Sequence, residues 1–298
     1  MSVTNDVLYH MGGVPVHGRM TTGSCFFVDS NTGSDGNSGK KPSQAFATAD
    51  YAVSKCTPNK GDIIYCMPKH AETTGKVTLD VDGVSLIGIG DGLQRPAFGT
   101  ADADDIITIT GSNVTVENLQ IGTLGIDAIT SFINIAGSGA TVRNIYATDC
   151  STTSINIVDV FTITADGDDC LIENVHLFNT TVAVVSFIHF EGAASHVTIK
   201  DFYAFGDVAT GGLIDTAKVD YLVMDNVHIA VVGTTIPAAT LGSNPEGMAV
   251  NCSFFSTSAT IAVGCALGNL MRTRDVKTTN ETDNSASAFV YPTVDAAT

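Results

Sequence analysis

Three residues have the types and the spacing for acid–base work on a sugar chain: His189 and Glu191 in "FIHFEG", and Asp215 in "LIDTAK". Hydrolysis of a glycosidic bond takes two carboxyl groups about 5 to 9.5 Å apart, one as acid and the other as base or nucleophile. Strands stacked in register lie about 4.8 Å apart, so carboxylates on neighbouring strands meet the lower end of that range. Aligned on their starts, "IITITG", "FINIAG", "FTITAD", "FIHFEG" and "LIDTAK" place Thr108, Asn134, Ile163, His189 and Asp215 in one column. Glu191 is then the candidate acid, Asp215 the candidate base or nucleophile, and His189 a hydrogen-bonding partner. The competing reading is structural: with 31 acidic residues on a small repeating chain, some carboxylates must stack.

Oxygen-rich turns are the second chemical signal. "VDSNTGSDGNSG" offers Asp29, Asn31 and Asp35 to a hard cation such as calcium, although the twelve-residue calcium loop with its terminal Glu is missing. "ADADDI" (Asp102, Asp104, Asp105) and "ADGDDC" (Asp166, Asp168, Asp169) are acidic turns leading into strands, and solvation alone explains them as well. No cofactor other than calcium is suggested. Sugar binding favours exposed aromatics. The chain has no Trp, and Phe202, Tyr203 and Phe205 form its densest aromatic run, in which alternation turns at least one ring outward.

These residues sit in a repeat. "VTVENLQIG", "ATVRNIYAT", "CLIENVHLF", "VTIKDFYAF" and "LVMDNVHIA" align Asn118, Asn144, Asn174, Asp201 and Asn226, with Gly88 before and Cys252 after, at intervals of 25 to 30 residues. Two positions earlier comes an apolar column: Leu86, Val116, Val142, Ile172, Ile199, Met224 and Val250. The segments alternate at period two, are rich in Val, Ile, Thr and Phe, and end in turn residues, which marks short strands. Leucine-rich spacing and a helical return segment are absent, so the repeat reads as a coil of strands, each stacked parallel on its counterpart one turn earlier. Asn or Asp suits the corner because it tolerates a left-handed backbone and can bond to the main chain. Gly88 meets the same need without a side chain.

The partly helical spacing of Phe46, Ala49, Tyr51, Ala52 and Val53 predicts a capping helix over 44–55, covering an open strand edge. Residues 1–24 read as an arm or attachment segment, 25–271 as the coil with its cap, and 272–298 as a C-terminal cap or tail. A net charge of -17 without a compensating Lys/Arg cluster argues against nucleic acid as a partner. No stretch reaches the roughly 18 uninterrupted apolar residues of a membrane span, and the N-terminus lacks a conventional secretion signal. The seven cysteines show no metal-ligand spacing and read as small core residues, consistent with folding in a reducing compartment. "VAVVSFIHF", residues 182–190, is the clearest candidate for an apolar outer face that packs against other copies.

"CFFVDSNTGSDGNSG", "PSQAFATADYAV" and "GDIIYCMPKHAET" together resemble the start of right-handed parallel β-helix proteins of the pectate-lyase-like superfamily, in the form common in bacteriophage tail, spike and capsid-surface proteins and in some bacterial surface proteins. The resemblance covers roughly residues 25–265. It implies an all-β, right-handed, single-stranded parallel β-helix of about seven rungs, often a homotrimer, sometimes cleaving host polysaccharide in a surface groove. Neither the calcium-binding aspartates and arginine base of pectate lyases nor the paired aspartates of polygalacturonases have counterparts here. The resulting expectation is a non-enzymatic virion component, made in the host cytoplasm and assembled with itself and other virion proteins. Two alternatives stay open: a depolymerase acting on host surface glycans, as glycoside hydrolase or lyase, and a calcium-stabilised carbohydrate-binding or adhesion module.

Overall fold

The computed structural model describes residues 21–72, 75–99, 104–121, 129–148, 157–232, 236–243, 245–257, 265–268 and 270–280. Almost all regular structure is parallel β-strand, wound into a parallel β-helix with three faces. Sheet A starts with Cys25–Val28, Ile63–Cys66 and Ser85–Gly88 and continues one strand per turn to Met271–Arg274. Sheet B runs from Ala71–Glu72 and Ala97–Phe98 to Ser253–Ser256 and Lys277–Asn280. Sheet C runs from Val77–Leu79 and Ile107–Ile109 to Cys265–Ala266. In the middle turns hydrogen bonding runs on through the corners, so that the single stretch Leu171–Phe190 contributes to all three faces.

The coil has the expected scale of about seven turns, from Gly88 to the rung after Asn226. Strand pairing carries sheets A and B past residue 271, the expected end, to Asn280. Residues 1–20 of the N-terminal arm, 281–298 of the tail, and Cys150 lie outside the described residues.

The inner column of sheet A stacks Ile64, Leu86, Val116, Val142, Ile172, Ile199, Met224 and Ala249, all fully buried. Its last member is Ala249 where the sequence alignment gives Val250. The corner column shifts with it. Asn118, Asn144, Asn174, Asp201 and Asn226 are left-handed, with φ between 49° and 59°, and the series continues through Asn251 and Asp275, not Cys252. Gly88 departs from the expectation: it is not left-handed, and a Cβ there would lie 2.0 Å from the Asn118 carbonyl oxygen, so close approach requires glycine.

Several of the corner amides bond between turns. Asn118 Nδ2 donates to the carbonyls of Gly88 and Gly90 at 2.8 and 2.9 Å, and Asn174 Nδ2 to Asn144 Oδ1 at 2.7 Å. Asn226 Nδ2 donates to Asp201 Oδ1 at 2.7 Å. Asn174→Ala should cost roughly 2 kcal/mol, combining left-handed strain of about 1–2 kcal/mol with a lost hydrogen bond. Asn174→Gly removes the bond but not the backbone freedom and should cost less; equal urea midpoints for the two variants would refute the backbone argument.

The capping helix is shorter than expected, Ala49–Val53, preceded by a 3-10 turn at Pro42–Gln44. Thr48 caps it by accepting from the Tyr51 N–H. Ala49, Ala52 and Val53 face the core, while Asp50 accepts the backbone N–H of Thr78 at 3.1 Å. Thr78 lies in the first strand of sheet C, which no strand precedes among the described residues, and Asp50 accepts its edge N–H.

Candidate functional site

The predicted acid–base group does not form as aligned. His189 lies level with Thr162 below and Ile214 above, and Asp215 lies opposite Phe190. The true column is Thr108, Asn134, Thr162, His189, Ile214, so Ile163 and Asp215 were each one place out. Asp215 spends its carboxylate on the turn N–H groups of Gly242 and Ser243, at 2.7 and 3.1 Å. Glu191 is exposed at the start of the turn after its strand.

His189 has a different partner. Its Nδ1–H donates to Asp159 Oδ2 at 2.9 Å, and Ser186 Oγ donates to Asp159 Oδ1 at 2.6 Å. Asp159 is 5% exposed, and the His189 Nε2 atom is buried without a hydrogen-bond partner. Two turns earlier the same brace recurs. Asp105 accepts from Ser131 Oγ at 2.5 Å, Asn134 Nδ2 at 2.8 Å and Thr108 Oγ1 at 3.1 Å.

The sequence carries this alternation as "DIIT", "SFIN", "DVFT", "SFIH" on successive turns. Each reads polar, two buried apolar residues, polar. The brace also explains the alignment error. Matching Phe161 to Phe132 and Phe187 puts like aromatics together, whereas the structure levels Asp159 with Ser131 and Ser186.

The hydrogen bond to Asp159 is the largest cause holding the His189 pKa above its ordinary value, with Asp159, Glu191 and Asp215 adding attraction against the cost of burial. A folded pKa raised above the unfolded value of about 6.5 contributes stability that is complete below pH 6.5. That stability is lost as pH rises through the folded pKa. The wild-type urea midpoint should therefore fall relative to His189→Gln as pH climbs above about 6.5; parallel pH profiles would show that the imidazole does not titrate in this way.

The other sequence candidates serve the backbone. Asp29 accepts from the Asn31 N–H and the Thr32 hydroxyl, at 2.9 and 2.6 Å, while Asp35 accepts from the Ala47 N–H at 2.9 Å and from Thr48. Asp29 and Asp35 thus hold two different turns, and no group of three or more His, Cys, Asp or Glu side chains suited to a metal occurs among the described residues. Asp104 pairs with Lys76 at 3.1 Å, and Asp168 accepts from the backbone and hydroxyl of Ser195. His70 is fully buried: its Nδ1 accepts from the Ser30 N–H, and Nε2–H donates to Glu72, which also accepts from the Ala49 N–H. Burial pushes the thiols of Cys56 and Cys170 up to about 12, and raises Cys66 and Cys265 as well, as fits small core residues that stay protonated.

The open surface lies on sheet B. Alternation turns Tyr146, His176, Tyr203, His228 and Ser253 outward in one column. Phe178, Phe205, Ala230 and Phe255 form a second column two residues on. Between them runs a trough of about 490 Å³. Tyr146, Phe178, Tyr203 and Phe205 are 42, 49, 37 and 38% exposed.

The rings stack on one another along the coil axis. His176, Tyr203 and His228 have centroids 5.1 Å apart, with interplanar angles of 10° and 23°, and Phe178 and Phe205 are 5.2 Å apart at 27°. Their flat faces cover each other, and Arg95 lies over the Tyr146 ring. Their edges line the trough. Of the sequence candidates only Tyr203 and Phe205 belong here; Phe202 points inward and is buried. "VAVVSFIHF" is not the apolar outer face: Val184, Phe187, Ile188 and Phe190 are buried within the chain, and the side chains of 182 and 183 lie outside the described set.

No family model and no curated protein matches the chain. Among solved structures, the pectate lyase Pel9A superposes at TM-score 0.55 and 12% identity, over 80% of this chain. The chain has the fold of that lyase. It spans 64% of the lyase's length, and at 12% identity the likeness is one of fold. A rhamnogalacturonan lyase and the GH136 lacto-N-biosidase from Eubacterium ramulus align over 78% and 87% of this chain and 69% and 67% of their own, each at 12% identity and TM-score 0.41. Within this parallel β-helix no helix of the described residues is long and apolar enough to cross a membrane.

Proposed function

We propose that the protein is a non-catalytic structural module of a bacteriophage particle surface, a homo-oligomer of parallel coils that bury the outer face of sheet B. The observation that carries this reading is the exposed strip of edge-on rings in that sheet. A sugar ring stacks on an aromatic face, and here neighbouring rings cover both faces of Tyr203 and one face each of His176, His228, Phe178 and Phe205. An edge-lined apolar trough suits protein side chains better. A second coil of the same kind also repeats at the same rung spacing, so contacts made on one turn recur on the next.

Light scattering on the purified protein tests the reading. A trimer of the 30.9 kDa chain is expected. Phe178→Asp with Phe205→Asp should convert it to a monomer of unchanged circular dichroism. A trimer indifferent to both charges would sink the role of sheet B.

A polysaccharide depolymerase is the second reading, favoured by one observation: the chain shares the fold of the pectate lyase Pel9A. Reproducible cleavage of a glycan by the purified protein would establish it over the structural one.

A further inference from the structure

The trough on sheet B has an end, and the chain leaves the described structure there. Lys277 pairs with Ser253 and Thr279 with Phe255, so the last strand, Lys277–Asn280, continues both columns and places Asn280 at the foot of the trough. The sequence continues as "ETDNSASAFVYPTVDAAT" from 281 to 298. Its first part is polar. Residues 288–291, "AFVY", are its one run of more than two consecutive apolar side chains, closed by Pro292.

We propose that the trough is the docking site of this C-terminal segment, with residues 288–292 lying between the two ring columns. The proposal does not rest on the oligomer reading: the two name different occupants of one surface, a segment of the same chain here and a second copy there. Reach is sufficient: residues 281–287 span up to about 23 Å when extended, and the trough from the Ser253 turn to the Tyr146 turn is about 19 Å long. Phe289 and Tyr291 are two apart, so an extended segment presents both rings to the same side.

Charge agrees as well. The segment carries Glu281, Asp283 and Asp295 and no Lys or Arg. The trough lining contains no acidic residue, in a chain whose net charge is -17. Tethering also raises the effective concentration of the segment at the trough to about millimolar, so weak intrinsic affinity is enough.

The test uses the full chain with Phe289→Asp and Tyr291→Asp, which frees the trough, and a fluorescent peptide of residues 281–298 as the probe. The peptide is expected to bind this variant, to bind the wild-type chain at least tenfold more weakly, and to be lost when Phe178→Asp and Phe205→Asp are added. Should those charges impair folding, Phe178→Ala with Phe205→Ala serves instead. No binding to the freed chain at millimolar peptide, or binding indifferent to the trough substitutions, overturns the proposal. Mass is read on the same samples: a monomer that binds the peptide overturns the oligomer and leaves the docking site standing, and a trimer that does not bind it does the reverse.

Discussion

Asp159→Ala should lower the unfolding free energy by roughly 3 to 5 kcal/mol, the range for removing one partner of a buried charged pair. The substitution strands two groups at once. Ser186 Oγ and His189 Nδ1 both direct their protons at this carboxylate, and Ser186, fully buried, cannot turn to water in its stead. Asp159→Asn retains one acceptor oxygen and should fall between wild type and Ala. The check is a urea titration of the three proteins. A loss below about 1 kcal/mol for Ala, the value of one ordinary hydrogen bond, would mean that the brace is incidental to the fold.

Phe161→Ala is expected to be as damaging, about 3 to 5 kcal/mol. Phe161 is fully buried, level with Ile133 and Ile188 in sheet C, and meets Phe202 from across the coil edge-on at 6.1 Å. Its removal opens a cavity where neighbouring turns are held by the same stacks. Solenoid stability is a sum of turns and their nearest-neighbour interfaces, so the damage should be local. Hydrogen exchange should accelerate on the turns around Ile133, Phe161 and Ile188 and stay slow at Ile63–Cys66. Uniform acceleration along the coil would contradict nearest-neighbour stacking.

Much of the architecture was legible because a parallel coil writes its period into the corners. Asn118, Asn144, Asn174, Asp201 and Asn226 were found from one residue type, and the left-handed backbone at each gives the reason. A second corner went unseen. Asn113, Gly139, Asp169, His196 and Tyr221 are also left-handed, each five positions before a member of the first column. Their types are too mixed to align by eye; His196 and Tyr221 are bulky, and they stack on each other at 4.8 Å.

Register in sheet C failed for a related reason. Turn lengths vary between 25 and 30 residues, and one-place slips at Phe161 and at Leu213 put Ile163 and Asp215 in the column in place of Thr162 and Ile214. The alternation of "DIIT" with "SFIN" and of "DVFT" with "SFIH" would have fixed it, because a buried carboxylate needs a donor on the next turn. Sheet B was legible only in outline. Alternation put a ring outside, but that the rings present edges to solvent depends on stacking between turns, which no single segment contains.

The direction of the hydrogen bonds has a mechanical consequence. Strands run across the coil, so the bonds between them lie along its axis. A load across the coil is shared by many bonds in parallel, whereas tension along the chain from the C-terminus strips one turn at a time, like tape from a roll. The N-terminal end is braced, since Asp50 holds Thr78 and the short helix packs over the first turns. Extension should therefore begin at Lys277–Asn280 and proceed in steps of one turn, each releasing about 85 Å of contour. In a pulling experiment such a coil acts as a stepwise shock absorber along its axis while remaining a stiff strut across it.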